Sequence, residues 1–211
     1  MLNCVPQARL RARLAQYASE WFAMGVLVAA LGVTAVGATA WLIAGVACAA
    51  LGSGLALLML GIAVADARHF VIPDALTASA LILGTASAGL DVDGTGVLPA
   101  IAEAVLRGTA LAISFGVVRA AYYRWRRRHG IGIGDIKLAA VAGVWLTWTS
   151  MAIAVELAAL TAVASLILTQ WHRGKPLRRS TRLPFGLYFA PAIWLVWLLH
   201  AAVLAPQAPA G

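Results

Sequence analysis

The chain has 211 residues, of which 62% are hydrophobic and only 11% charged. Soluble globular domains carry about 25% charged and about 45–50% apolar residues, so a water-solvated surface cannot be built from this alphabet, and disorder and collagen are excluded with it. The net charge of +8 does not point to nucleic acid, because the basic residues stand in short clusters between long apolar runs, where they suit membrane-face loops and anionic headgroups.

A span needs roughly 20 apolar residues to cross about 30 Å of hydrocarbon, and seven candidates follow one another along the chain. Residues 1–20, with Arg9, Arg11 and Arg13, form a cytoplasmic tail. The first two spans, 21–38 and 41–65, turn near Gly37. Ala38-Thr39-Ala40 imitates a signal-peptide cleavage site, but the apolar run before it is long for a signal core, and retention is expected. The third span is 75–90, and the fourth, 97–120, holds Glu103 and Arg107 four apart, placed to pair on one helix face. The fifth, 136–149, and sixth, 151–170, are separated by a tight turn at Thr149 and Ser150; the last is 184–204, with 205–211 a periplasmic tail. With the amino terminus inside, fifteen of the sixteen Lys and Arg fall in or beside inside segments, and Arg107 lies in a span. The expected fold is therefore an all-α, polytopic integral membrane bundle of about seven helices with a cytoplasmic amino terminus. Cys4 and Cys48 form no C-x-x-C pair, so neither a disulfide framework nor a thiolate zinc site is expected.

Eight acidic residues remain to be explained, since each one in or near a span is costly unless paired, protonated or useful. Asp91 and Asp93 read as a solvated turn, and Glu20 as interfacial. Glu156, alone in the sixth span, is left to protonation or to a bond within the bundle. Asp66, Asp74 and Asp135 all fall at the cytoplasmic boundary. Asp74 is placed to cap the third span, and Asp135 sits where carboxylates are favoured, at a helix start. Asp66 closes a helix, where the dipole is unfavourable to it. If the second and fifth spans pack side by side, Asp66 and Asp135 share a proton and suit aspartic-protease chemistry. A proton-coupled transporter and a structural pair are the other readings of those two residues. Gly130, Gly132 and Gly134 alternate before Asp135 and leave room for an extended peptide, or form a flexible entry to the helix.

Three passages resemble the type IV prepilin peptidase family of GxGD-type intramembrane aspartyl proteases. Asp66 through Thr77 (DARHFVIPDALT) is similar to its first catalytic segment, with Ile72, Pro73 and Asp74 in the expected places. Gly132-Ile133-Gly134-Asp135-Ile136-Lys137 matches G-x-G-D-x-K, and Pro184-Phe185-Gly186 resembles the element opening the last span, with Leu187 where many members have Pro. The resemblance implies that Asp66 and Asp135 are catalytic, that Gly132 and Gly134 shape the loop, and that Lys137 lies beside the centre. It also implies a bacterial inner-membrane enzyme of type IV pilus or type II secretion systems. Such an enzyme cuts the short basic leader from prepilins or pseudopilins on the cytoplasmic side. Larger members also methylate the new amino terminus from S-adenosylmethionine, and many carry two C-x-x-C pairs. Neither pair is present here, so a compact, peptidase-only form with no metal and no cofactor is expected. A transporter or a non-catalytic assembly subunit is the rival, and oligomeric state is not specified by these features.

Overall fold

The computed structural model describes residues 50–90, 96–128, 130–173 and 184–204. The expected first span, its turn at Gly37, both tails, the Asp91–Asp93 turn and most of the basic loop before the last span lie outside the described residues. Among the described residues, all regular structure is helical. Helix α1 is Ala50–His69, followed by α2 Asp74–Leu90, α3 Val97–Arg126, α4 Ile133–Trp145, α5 Trp148–Arg173 and α6 Phe185–Leu204. These six correspond in order to the second through seventh expected spans. Three of them, α1, α3 and α5, contain stretches long and apolar enough to cross a membrane, whereas α2 and α6 are shorter apolar helices.

Helix α4 is the axis of the bundle and packs against α2, α3, α5 and α6. Its Leu138, Val141, Ala142 and Trp145 are buried together with Leu55, Met59 and Ile62 of α1 and Phe189 and Ile193 of α6. Leu106, Ile113, Leu160 and Ile167 are exposed instead. In lipid no hydrophobic force drives helices together, so close packing and interhelical hydrogen bonds must do so. Glycines supply the approach: a Cβ on Gly143 of α4 would stand 2.5 Å from the Arg107 carbonyl oxygen of α3, and one on Gly108 would stand 2.9 Å from that of Ala140. Arg107 pairs with Glu103 at 2.7 Å, as its spacing predicts, and its Nε also donates to the Gly143 carbonyl at 3.3 Å. Arg107 thus ties α3 to α4. On the other side, Trp145 donates from Nε1 to the Ala80 carbonyl of α2 at 2.9 Å.

Several boundaries differ from those expected. The α4–α5 turn falls at Leu146 and Thr147, and Thr149 and Ser150 belong to the first turn of α5. Thr147 Oγ1 accepts from the Ser150 N–H at 3.3 Å, the bond a helix-capping threonine makes. Helix α3 runs to Arg126 rather than residue 120, in a stretch where residues 117–129 include neither Gly nor Pro. Helix α4 starts three residues early, which takes Asp135 into its first turn. Glu156 lies on an exposed face of α5 rather than inside the bundle.

Candidate active site

One end of the bundle gathers the last turn of α1 and the first turns of α2, α4 and α6. Helix α1 closes on Phe70, whose φ of 53° is left-handed and whose N–H donates to the Asp66 carbonyl at 2.9 Å. This is a common helix ending, here without the glycine that usually fills it. Residues 71–73 then carry the chain to α2, with Ile72 buried on the way. The Pro73 carbonyl accepts from the Thr77 N–H at 3.2 Å and holds the first turn of α2.

Asp66 is buried. Its Oδ2 accepts from the N–H of Leu187 at 3.0 Å, in the first turn of α6. The unfavourable carboxyl end of α1 is thereby offset by the amino end of α6, where backbone N–H groups lack helical partners and the dipole favours an anion. The Pro-Phe-Gly element builds this contact. Pro184 stands just ahead of the helix, and Phe185 anchors it among Phe189 and Phe115, with ring centroids 5.3 and 6.4 Å away. Gly186 leaves the carboxylate room: a Cβ there would be 2.9 Å from Asp66 Oδ2. Leu187, the departure from the family pattern, supplies a donor that proline lacks.

Asp135 is the third residue of α4, and its Oδ2 accepts from the Gly132 N–H at 3.0 Å. It reaches back as the acidic residue of a capping box does. Burial pushes the Asp135 carboxyl above the usual carboxylate range; the Gly132 N–H opposes this, the nearby Asp66 adds to it, and the Arg119 guanidinium opposes it. Gly134 lies against Ile72, where a Cβ would be 3.0 Å from the Ile72 Cβ; a Cβ on Gly186 would be 3.0 Å from Ile72 Cδ1. Ile72 is therefore the wedge between the loop carrying Asp135 and the turn holding Asp66. On its other side the glycine loop is fastened to α3, since Arg119 Nη1 donates to the Ile131 carbonyl and Gly130 abuts the Tyr122 ring.

The expected capping role of Asp74 gives way to an ion pair. Asp74 is the first residue of α2, and its Oδ1 is 2.5 Å from Lys137 Nζ, with both side chains substantially exposed. A basic residue on α4 is within reach, and Lys137 is correspondingly committed to α2. The structure thus brings Asp66, Asp135, Gly132, Gly134, Phe185 and Gly186 to one site and places Asp74 and Lys137 at its exposed margin. Ile72 and Arg119 were not singled out as site residues. Ile72 stood inside the Asp66 segment as an aliphatic position, while Arg119 looked like one more topological charge. Among the described residues, no group of His, Cys, Asp and Glu is placed to hold a metal.

Comparison with known proteins locates this arrangement. The type IV leader peptidase family matches residues 53–167, which include both carboxylates and the G-x-G-D loop. Leader peptidase HopD of Escherichia coli is 31% identical over 131 residues, covering 62% of this chain and 81% of that protein. The prepilin leader peptidase/N-methyltransferase of Burkholderia pseudomallei strain 1026b is 33% identical over 137 residues, 65% of this chain and 42% of that protein. That of Dickeya chrysanthemi is 32% identical over 139 residues, 64% of this chain and 47% of that protein. The match thus spans most of the first relative and less than half of the other two. No solved structure matches the chain.

Proposed function

Because the chain belongs to the type IV leader peptidase family, we propose that it removes the short basic leader of prepilins or pseudopilins, with Asp66 and Asp135 activating water. The observation that carries this reading is that the glycines beside the two carboxylates, Gly186 against Asp66 and Gly134 just before Asp135, both abut Ile72. Each carboxylate spends Oδ2 on a backbone N–H at a helix start. Two such groups titrate as one unit. The ionised member takes a proton from water as the water attacks the peptide carbonyl. The protonated member polarises that carbonyl and then protonates the leaving amine. Glycines at 132 and 134 let an extended substrate lie close to Asp135.

In this reading the chain spans the bacterial inner membrane seven times, with its amino terminus and both dyad residues on the cytoplasmic side. The basic loops set that orientation and meet anionic headgroups. Methyl transfer is the second reading, favoured by the names of the Burkholderia and Dickeya relatives. The relative matched over most of its length is named only as a leader peptidase, which favours cleavage alone.

The test expresses the protein in membranes with a prepilin bearing a Gly cleavage site. Asp66→Asn and Asp135→Asn are each expected to slow cleavage about 1000-fold, within the range that acid–base groups contribute. Native-rate cleavage by either variant sinks the dyad. Labelled S-adenosylmethionine in the same reaction reports methyl transfer. Burial disfavours ionisation of Asp135, so activity is expected to be lost on acidification at a pH above that of an ordinary aspartate, about 3.9. A rate profile flat down to that pH contradicts this assignment.

A further inference from the structure

Five arginines crowd the carboxyl end of α3 and the residues just after it, and one of them differs from the rest. Arg124, Arg126, Arg127 and Arg128 are exposed, as loop charges that set orientation are expected to be. Arg119 is half-buried and turned to the glycine loop, where its Nη1 donates to the Ile131 carbonyl. That carbonyl lies one residue before Gly132, whose N–H holds Asp135. We propose that Arg119 is a positioning residue for Asp135: by gripping Ile131 it fixes the turn that carries Asp135, and its guanidinium is a fixed positive charge serving that carboxylate. The inference rests on the dyad reading above.

Several other charged groups stand around Asp135. Helix α1 contributes Asp66, a like charge, with Arg68 and His69 following it in the last turn. From α2 comes Asp74, which is paired with Lys137, the nearest basic residue on α4 itself. The first turn of α6 contributes a backbone N–H, and that goes to Asp66. Arg119 is a cation whose field acts on Asp135, and it opposes the effects of burial and of Asp66. Such a group has two consequences that separate experimentally. The hydrogen bond to Ile131 sets geometry, while the charge sets the pH at which the pair reaches its singly ionised form.

The experiment measures pH profiles of prepilin cleavage for native protein, Arg119→Gln, Arg119→Lys and Arg119→Met, with Asp135→Asn alongside. Arg119→Gln keeps a donor and loses the charge, so the acidic limb is expected to move up by roughly half a pH unit or more, with KM within about twofold of native. Arg119→Lys keeps the charge, and its limb should stay within about 0.2 units even where kcat falls. Arg119→Met lacks both and must shift at least as far as Arg119→Gln, which provides a second charge-free variant if one does not accumulate. A limb unmoved in the charge-free variants, or moved as far in Arg119→Lys, overturns the positioning role. Native-rate cleavage by Asp135→Asn would instead overturn the dyad reading on which the role depends.

Discussion

Asp66 and Asp135 are held by the same chemistry over different distances along the chain. Each offers Oδ2 to a backbone N–H at 3.0 Å, but Asp135 reaches three residues back within its own helix start and Asp66 reaches 121 residues forward to α6. The Asp135 anchor therefore forms whenever α4 forms. The Asp66 anchor forms only when α1 and α6 are docked, so it reports on assembly of the whole site. Burial follows the same division, with Asp66 buried and Asp135 only half so. A carboxylate fixed by tertiary packing should be the more sensitive of the two to changes in its surroundings.

Two glycine substitutions put that difference to its largest test. A Cβ at Gly186 meets Asp66 Oδ2 at 2.9 Å and Ile72 Cδ1 at 3.0 Å; both side chains are buried, and Asp66 cannot turn aside without giving up its bond to Leu187. Gly186→Ala is expected to lower kcat/KM for prepilin about 100-fold, the scale on which an ångström of misplacement acts. At Gly132 the added Cβ meets Asp135 Oδ2 at 3.1 Å, and φ of −70° suits alanine. That oxygen ends a side chain able to rotate by a few tenths of an ångström. Gly132→Ala should therefore cost about tenfold or less. The comparison fails if Gly132→Ala proves the more damaging in side-by-side cleavage assays on comparable amounts of membrane-inserted protein.

A second change acts on the Asp66 anchor through its donor, because a proline Cδ takes the place of the Leu187 amide hydrogen, so the carboxylate loses the bond and is displaced as well. Leu187→Pro deletes one N–H, and the first turn of a helix tolerates proline because its N–H groups have no helical acceptor. Hydrogen bonds to charged groups contribute about 1.5–3 kcal/mol, so cleavage should slow by about tenfold or more. Leu187→Ala keeps the N–H and should stay within about twofold, since the donor is backbone. Equal losses in both variants would show that the leucine side chain, rather than its amide, supports Asp66.

What was legible in the sequence follows the same division between local and distant partners. Asp135 at a helix start, the glycines before it and the Glu103–Arg107 pair all depend on residues within a few positions, and all were readable. The partner of Asp66 was not, because no periodicity connects residue 66 with the amide of residue 187. The same holds for Lys137, whose Asp74 lies 63 residues away, and for the reach of Arg119 into the glycine loop. The family resemblance named Pro184, Phe185 and Gly186 as a conspicuous element, but only packing shows that they present a backbone donor to Asp66. The turn at Thr147 is a local feature that was overlooked: Thr-x-x-Ser was available as a cap, and the polar Thr149-Ser150 pair competed with it.

The smallest effect belongs to Asp74 and Lys137, which are the test of whether the margin of the site is separable from its centre. Both are within reach of the motifs, yet their side chains are 78% and 42% exposed. Exposed ion pairs contribute about 0.2–1 kcal/mol, because solvent screens the charges and ordering two long side chains costs entropy. Asp74→Asn should accordingly leave kcat/KM within about fivefold of native, and high salt should reproduce part of the loss in the unmodified protein. A 100-fold fall would mean that Asp74 does more than neutralise Lys137 at the surface. Lys137→Met then separates the causes. If the double variant recovers activity, the damage came from a lysine released toward Asp135. If it does not, Asp74 supports the path between Ile72 and α2, and the distinction between a packed centre and a solvated margin disappears.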